Sequence, residues 1–219
     1  HWKLDEGSGA VASDSSESGN KGNLVNGPTW ITPLIDVTKP GVGTVTGSTS
    51  LANYEPDKAI DNVVTPGTNP GRWLPFQSEL PNVFLQYQFD GGRSERVTSY
   101  RIMTQHAGLP ARAPKSFKLQ GSNDGLGWTD LDVVTGETGW GADVWRSYDV
   151  DSPAEYAYYK LIISEAAGNN NYVGIREVEL LSVGRSDMAL QFDGSSDHVL
   201  VNGYKGITGS KQRSMSAWI

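Results

Sequence analysis

Two short segments of the chain combine polar and aromatic side chains in a way that suits sugar binding. Residues 105–112 read QHAGLPAR and residues 167–172 read AGNNNY. A flat aromatic ring can stack on the apolar face of a pyranose, and polar side chains can hold individual hydroxyl groups by hydrogen bonds. Glycine and proline in these segments indicate loops. The polar and aromatic side chains of these two loops are therefore candidates for a binding surface.

The sequence lacks the residue patterns that catalysis needs. It has three histidines, at positions 1, 106 and 198, and contains no Gly-x-Ser-x-Gly, His-Glu-x-x-His or phosphate-loop motif. A glycosidase needs two carboxylates that flank the scissile bond. The nearest candidate is Glu177-Val178-Glu179, which lacks a spaced third carboxylate. The sequence therefore indicates a protein that is not an enzyme.

β-strands are the elements that must position these loops. In residues 83–89 (VFLQYQF) every second side chain is large and apolar, which predicts a half-buried strand. No segment sustains a helical period over three turns, and Gly, Pro and Asn cluster between the apolar segments. Further strands are predicted at 97–103, 146–150, 157–164 and 175–183. The fold class is therefore all-β, a sandwich or jelly roll.

A strand that ends at a tight turn carries the most specific pattern. Residues 115–128 read KSFKLQGSNDGLGW, in which Phe117 and Leu119 alternate with polar residues. Asn-Asp-Gly at 123–125 tolerates the left-handed dihedral angles of a hairpin turn. Together with the Arg-x-Pro at 112–114, this segment resembles discoidin domains, also called coagulation factor V/VIII type C domains, which are similar to family 32 carbohydrate-binding modules. The resemblance implies a discoidin-type jelly-roll β-sandwich over residues 42–183 that binds ligands without catalysis.

The same resemblance implies a structural calcium ion. Residues 57–65 (DKAIDNVVT) resemble the calcium loop of the discoidin family, although Asn62 stands where the family usually has Gly. Calcium takes six to eight oxygen ligands from carboxylates and carbonyls, and an acidic chain suits it. The implied ligands are Ala59, Asp61, Val64, Thr65 and Glu177. The alternative is an acidic turn without a metal.

The resemblance also implies which loop residues contact a sugar. His106, Arg112 and Asn170 are the candidate hydrogen-bonding residues, and Tyr172 or Trp140 is the candidate aromatic platform. Arg112 has an alternative role as a brace between loops, and His106 as an ordinary exposed histidine. Because sugar specificity resides in loops, the fold does not identify the sugar.

The two ends of the chain resemble parts of a different domain. Residues 1–31 and 187–219 are similar to two segments of a laminin G-like, concanavalin A-like domain that usually follow each other closely. We expect the discoidin-like domain to be inserted into an early loop of this split β-sandwich, since exposed loops accept insertions. The alternative is a tandem with a degenerate first repeat. The laminin G-like part is expected to be truncated, because the two segments supply only part of such a sandwich.

Charge and composition exclude some partners. The chain has 219 residues and a net charge of −7, so it would repel the phosphates of a nucleic acid. No stretch approaches the ~18 consecutive apolar residues of a membrane-spanning helix. There is no cysteine, and because the chain does not begin with Met we expect either a mature fragment or an excised piece of a longer protein.

The first hypothesis is therefore a calcium-stabilised glycan-binding module of a secreted or cell-surface bacterial protein. An extracellular location is implied by the resemblance alone. The alternative is an adhesion or structural domain that engages protein partners or its own copies. A third hypothesis is an accessory fragment of a glycoside-active enzyme.

Overall fold

Strands make up most of the regular structure in this computed structural model, which describes residues 2–16, 19–64, 71–104, 109–183 and 189–202. Four short 3-10 helices accompany them, at Pro56–Ala59, Gln77–Glu79, Asp90–Gly92 and Pro110–Arg112. No helix in these ranges is long and apolar enough to cross a membrane. The strands are β1 (Val11–Ala12), β2 (Gly22–Val25), β3 (Thr29–Ile31), β4 (Leu34–Asp36), β5 (Gly43–Gly47), β6 (Val83–Phe89), β7 (Glu95–Thr104), β8 (Pro114–Ser122), β9 (Thr129–Val134), β10 (Trp145–Asp149), β11 (Glu155–Tyr156), β12 (Tyr158–Ala166), β13 (Ile175–Val183), β14 (Ala189–Gln191) and β15 (His198–Leu200).

Two five-stranded antiparallel sheets form the larger of two units, Leu34–Val183. One sheet has the order β5-β6-β12-β8-β9. The other has the order β10-β7-β13-β4, and β11 pairs with the beginning of β7. A single apolar core draws side chains from both sheets. The structure thus confirms the predicted all-β jelly-roll sandwich.

The core follows the alternation that the sequence shows in most strands. Leu85, Leu161 and Leu119 stand opposite one another on β6, β12 and β8, and all three are buried. Strand β13 is different, because eight of its nine residues are buried. Its Val178 and Leu180 join the core, so the other face of this central strand is also covered.

Six residues, 123–128, connect the antiparallel strands β8 and β9, a longer connection than the tight turn that the sequence predicts. Only Gly125 adopts a left-handed backbone, with φ 72°. The Ser122 hydroxyl accepts the N–H groups of Asp124 and Gly125. The Asp124 carboxylate accepts those of Leu126 and Gly127, each at 2.8 Å. Side-chain hydrogen bonds therefore fix a turn that dihedral tolerance alone would leave loose.

The smaller unit consists of His1–Pro33 together with Gly184–Ile219. Strand β15 pairs with β2, and β14 pairs with β3, so segments from both ends of the chain share two small antiparallel sheets. β1 also pairs with β2. The identity of this unit as a split laminin G-like domain stays a prediction.

The larger unit begins earlier than residue 42, the expected start of the discoidin-like domain. Strand β4 (Leu34–Asp36) pairs with the end of β13 and belongs to this unit. Because Pro33 and Pro40 flank it, this three-residue strand resembles a linker in sequence.

Candidate functional site

The loop that follows β12 lies against the 3-10 helix Pro110–Arg112. The Gly168 N–H donates to the Ala111 carbonyl at 3.0 Å, and the Gly174 N–H donates to the Arg112 carbonyl at 2.8 Å. A Cβ atom at Gly168 would lie 2.8 Å from the Cβ of Ala111, so glycine allows this close approach. Backbone hydrogen bonds therefore hold the two segments together at both ends of the loop.

Three of the predicted sugar-contacting residues meet at this junction. The Arg112 Nε donates to the Asn170 Oδ1 at 2.9 Å, and the guanidinium carbon lies 5.1 Å from the centre of the Tyr172 ring. Among the described residues, neither Nη atom of Arg112 has a hydrogen-bond partner, and neither is sealed from solvent. Burial, followed by the positive charge of Arg72, lowers the pKa of Arg112. An arginine stays charged despite such shifts, so the site presents cationic donors beside an aromatic ring.

Gln77 is a site residue that the sequence did not reveal. Its amide Nε2 donates to the carbonyls of Gly168 and Tyr172, both at 3.1 Å, and its Oε1 accepts the N–H of Asn170 at 2.9 Å. The Tyr172 ring lies 5.3 Å from that of Phe76. Gln77 thus clamps the loop from a helix more than ninety residues earlier, and no local sequence pattern could indicate that contact.

A shallow depression of about 350 Å³ opens beside this clamp. Its lining residues are Phe76, Ser78, Asn170, Asn171 and Tyr172. An aromatic wall next to amide and hydroxyl groups is the combination that a pyranose ring requires.

Trp140, the alternative platform, has a structural role. Its ring belongs to the core and is 8% exposed, and its Nε1 donates to the Pro114 carbonyl at 2.7 Å. The Arg146 guanidinium lies 4.3 Å from the ring centre. The ring nevertheless lines a surface depression together with Pro110 and Ala111, so Trp140 stays a predicted platform alongside Tyr172. His106 lies outside the described residues.

Two acidic side chains of the predicted calcium site lie close to each other. Glu177 on β13 is completely buried, and neither carboxylate oxygen has a hydrogen-bond partner among the described residues. Burial and the nearby negative charge of Asp61 raise the pKa of Glu177 to about 8, although the Asn62 backbone N–H opposes the shift. That N–H is close enough to act on the charge without reaching hydrogen-bond geometry. Burial also raises the pKa of Asp61.

The backbone of the loop that carries Asp61 turns sharply at Asn62. Asn62 adopts a left-handed conformation with φ 59°, which explains why it can replace glycine. The Asp61 Oδ1 accepts the Val63 N–H at 2.9 Å and thereby fixes the turn. Ala59 is buried, and Val64 is 36% exposed. Thr65 lies outside the described residues.

No group of three or more His, Cys, Asp or Glu side chains within the described ranges could hold a metal ion. A cation between Asp61 and Glu177 would therefore need additional oxygen ligands from the backbone. The predicted ligand set has this character, since Ala59 and Val64 can contribute only their carbonyls. Both carboxylate oxygens of Glu177 are buried without hydrogen-bond partners among the described residues, which is consistent with a cation site.

The F5/8 type C domain model matches residues 44–178 of the chain. No curated protein matches the sequence. Solved structures with the same fold include the family 32 carbohydrate-binding module of C. perfringens NanJ in complex with galactose, at 17% identity and a TM-score of 0.52. The alignment with that structure covers 64% of this chain and 93% of the module.

Two further structures are similar to a comparable degree. An F5/8 type C domain from Bacteroides fragilis has 17% identity and a TM-score of 0.54, with 70% of this chain and 97% of that chain covered. Chitosan-binding module 1 of a chitosanase/glucanase from Paenibacillus sp. IK-5 has 19% identity and a TM-score of 0.51, with 67% and 98% covered. At these identities the likeness concerns the fold.

Proposed function

Because the chain belongs to the F5/8 type C domain family, we propose that it is a non-catalytic module that binds glycans. The observation that carries the proposal is the junction of Arg112, Asn170 and Tyr172 beside an open depression. The C. perfringens module with the same fold was solved with galactose, which supports a carbohydrate as the ligand class. A secreted or cell-surface location is part of the proposal.

The side chains of the site have different roles in the proposed binding. The Tyr172 ring offers an apolar surface for one face of the sugar, while the Arg112 Nη atoms and the Asn170 amide nitrogen can donate hydrogen bonds to hydroxyl oxygens. Gln77 holds the backbone of the loop, so little ordering is needed when the ligand arrives. A shallow site that makes few contacts gives weak affinity, with dissociation constants on the order of tens of micromolar to millimolar.

Glycan-array screening followed by titration tests this function. We expect Arg112→Ala and Asn170→Ala each to weaken binding of the best array ligand by about 1–3 kcal/mol, because each substitution leaves a sugar hydroxyl without a partner. Arg96→Ala is the matched control. Arg96 is exposed near the start of β7, whereas the site lies near the end of that strand. Full binding by both site variants, with folding verified by circular dichroism, would reject the loop junction as the site.

We also propose that a calcium ion stabilises this module through Asp61 and Glu177, with the carbonyls of Ala59 and Val64 and with Thr65 as further ligands. The support is chemical: two carboxylates lie close together, and one of them is fully buried without hydrogen-bond partners. A bound divalent cation would supply the positive charge that two such carboxylates need to ionise together. Asp61 and Glu177 would then join the Asn62 turn to the central strand β13.

A further inference from the structure

The arginine at the glycan site differs from most other arginines in its choice of partner. Four described arginines form ion pairs with carboxylates: Arg93 with Glu95, Arg101 with Glu179, Arg146 with Glu137 and Arg176 with Asp143. Arg112 forms no ion pair with a carboxylate of the described residues, and its hydrogen-bond acceptor is the neutral amide oxygen of Asn170. Within the part of the chain that the structure describes, no carboxylate therefore pairs with Arg112, although the net charge of the chain is −7.

A second positive charge lies close to Arg112. Trp73, the residue after Arg72, exchanges two backbone hydrogen bonds with Ile175, and the preceding Gly174 donates to the Arg112 carbonyl. Arg72 therefore flanks the segment that contacts Arg112. After burial, the positive charge of Arg72 is the next cause that lowers the pKa of Arg112. The Arg72 guanidinium also lies 5.0 Å from the centre of the Tyr54 ring, so a second aromatic ring lies beside Arg72.

Two adjacent guanidinium groups repel each other, and partial burial makes the repulsion stronger than in water. A neutral sugar can accept hydrogen bonds from Arg112 but leaves this repulsion in place. An anion removes it, and guanidinium groups match the planar, two-oxygen geometry of a carboxylate or of one face of a sulfate group. The local charge therefore favours an acidic ligand.

We propose that the loop site selects acidic glycans, in which a sugar residue carries a carboxylate or sulfate group, because Arg112 lacks a carboxylate partner and lies next to Arg72. The inference rests on the proposed glycan-binding function and specifies its ligand class. The sugar ring packs on Tyr172, and its acidic group lies toward the two arginines.

The test compares sugars that share one ring and differ in the charge of the group at C6. D-galactose, D-galacturonate and D-galactose 6-sulfate are identical except at C6, and glucose, glucuronate and glucose 6-sulfate form a second series. Binding is measured by NMR titration of the full chain at low salt, which detects millimolar affinities. We expect at least one acidic member to bind about tenfold more tightly than its neutral parent, the gain of one charge-assisted hydrogen bond. Which acidic member binds more tightly distinguishes carboxylate from sulfate recognition.

Variants and salt then assign the preference to the two arginines. Arg72→Gln is expected to reduce the ratio of acidic to neutral affinity by about fivefold or more, while Arg72→Lys keeps most of it because the charge remains. Raising the salt concentration to about 0.5 M is expected to reduce the ratio as well. Arg96→Gln, which removes an exposed charge far from the site, leaves the ratio unchanged.

The outcomes separate this inference from the function on which it rests. Equal affinity for acidic and neutral sugars, or a preference for the neutral ones, overturns acidic selectivity and leaves glycan binding intact. If neither sugar series binds, the strongest ligands of the glycan array are compared instead: acidic ligands support acidic selectivity, and neutral ligands overturn it. Absence of any array ligand overturns both proposals. A preference that survives Arg72→Gln in full overturns the role of the paired arginines.

Discussion

Replacing Glu177 by Gln should stabilise the metal-free protein at alkaline pH. The carboxylate is completely buried and its oxygens have no hydrogen-bond partners among the described residues, so ionising it without a cation is costly. Glutamine has nearly the same shape and cannot ionise, and it therefore mimics the protonated side chain. The free energy of unfolding of this variant should lose the pH dependence that Glu177 gives the native protein.

The direction and size of the effect follow from the pKa. Burial raises the pKa of Glu177 from 4.5 to about 8 in the folded protein, whereas the unfolded chain keeps the ordinary value. The folded state therefore binds the proton more tightly, and stability is full below pH 4.5 and is lost as the pH rises toward 8. At about 1.4 kcal/mol for each pKa unit, the loss is roughly 3 kcal/mol at pH 7 and about 5 kcal/mol at pH 8.5.

Urea unfolding at pH 5 and pH 8.5, with a chelator present, measures this difference. We expect the Glu177→Gln variant to match the stability of the native protein within about 1 kcal/mol at pH 5 and to exceed it by up to about 5 kcal/mol at pH 8.5. Glu165→Gln is the control, because Glu165 is exposed and paired with Lys115. That substitution should change stability little, and by a similar amount at both pH values, because an exposed ion pair contributes little.

Calcium should make the native protein more stable than the Glu177→Gln variant at pH 8.5, the reverse of the order expected with chelator. If the ion binds at Glu177, it stabilises the native protein at pH 8.5 by mass action and leaves the Gln variant almost unchanged. A Gln variant that is less stable than the native protein by the same amount at both pH values, with chelator, would refute the argument from burial. Native stability that does not respond to calcium would refute the metal site alone.

Two further substitutions test interactions that stabilise the larger unit. Tyr100→Phe removes the 2.6 Å hydrogen bond from the buried Tyr100 hydroxyl to Asp132 and should lower the free energy of unfolding by about 1–3 kcal/mol in urea titrations; a loss below about 0.5 kcal/mol would mean that the hydroxyl contributes little. Asn62→Ala should cost about 1 kcal/mol, because alanine strains the left-handed backbone at this position, whereas Asn62→Gly should be tolerated; equal melting temperatures for the two variants would contradict this reason.

The strands with period-two alternation were predictable from the sequence, whereas short edge strands were not. In β6 every second residue is buried and the residues between them are more exposed, so burial itself produces the pattern. Strand β5 begins and ends with glycine and resembles a turn in sequence. Its Gly43 lies so close to the Tyr87 ring that a Cβ atom would overlap it. Here glycine indicates the close approach of a neighbouring strand, a contact that no local pattern encodes.

The sequence located the loop junction but not its support. Arg112 and Asn170 were expected to converge, and in the structure the Arg112 Nε lies 2.9 Å from the Asn170 Oδ1. Gln77 was not expected, because a glutamine in a short helix carries no recognisable motif. Its role depends on the isolated bridge between Phe76 and Tyr172, which is a tertiary contact. Long-range hydrogen bonds of this kind decide which loops are rigid, and they can be identified only from the folded chain.

The two roles considered for Arg112, a brace between loops and a sugar ligand, involve different atoms of the same side chain. Its Nε holds Asn170, while its Nη atoms have no partner among the described residues and remain accessible. Both roles can therefore operate together, and a loss of stability in Arg112→Ala would not by itself exclude ligand binding. Because Asn170 is held in turn by Gln77 through its backbone N–H, the brace fixes the amide that would contact the sugar. A site with so few contacts depends on this rigidity, since each side chain that must be ordered on binding costs about 0.5–1.5 kcal/mol of a small total affinity.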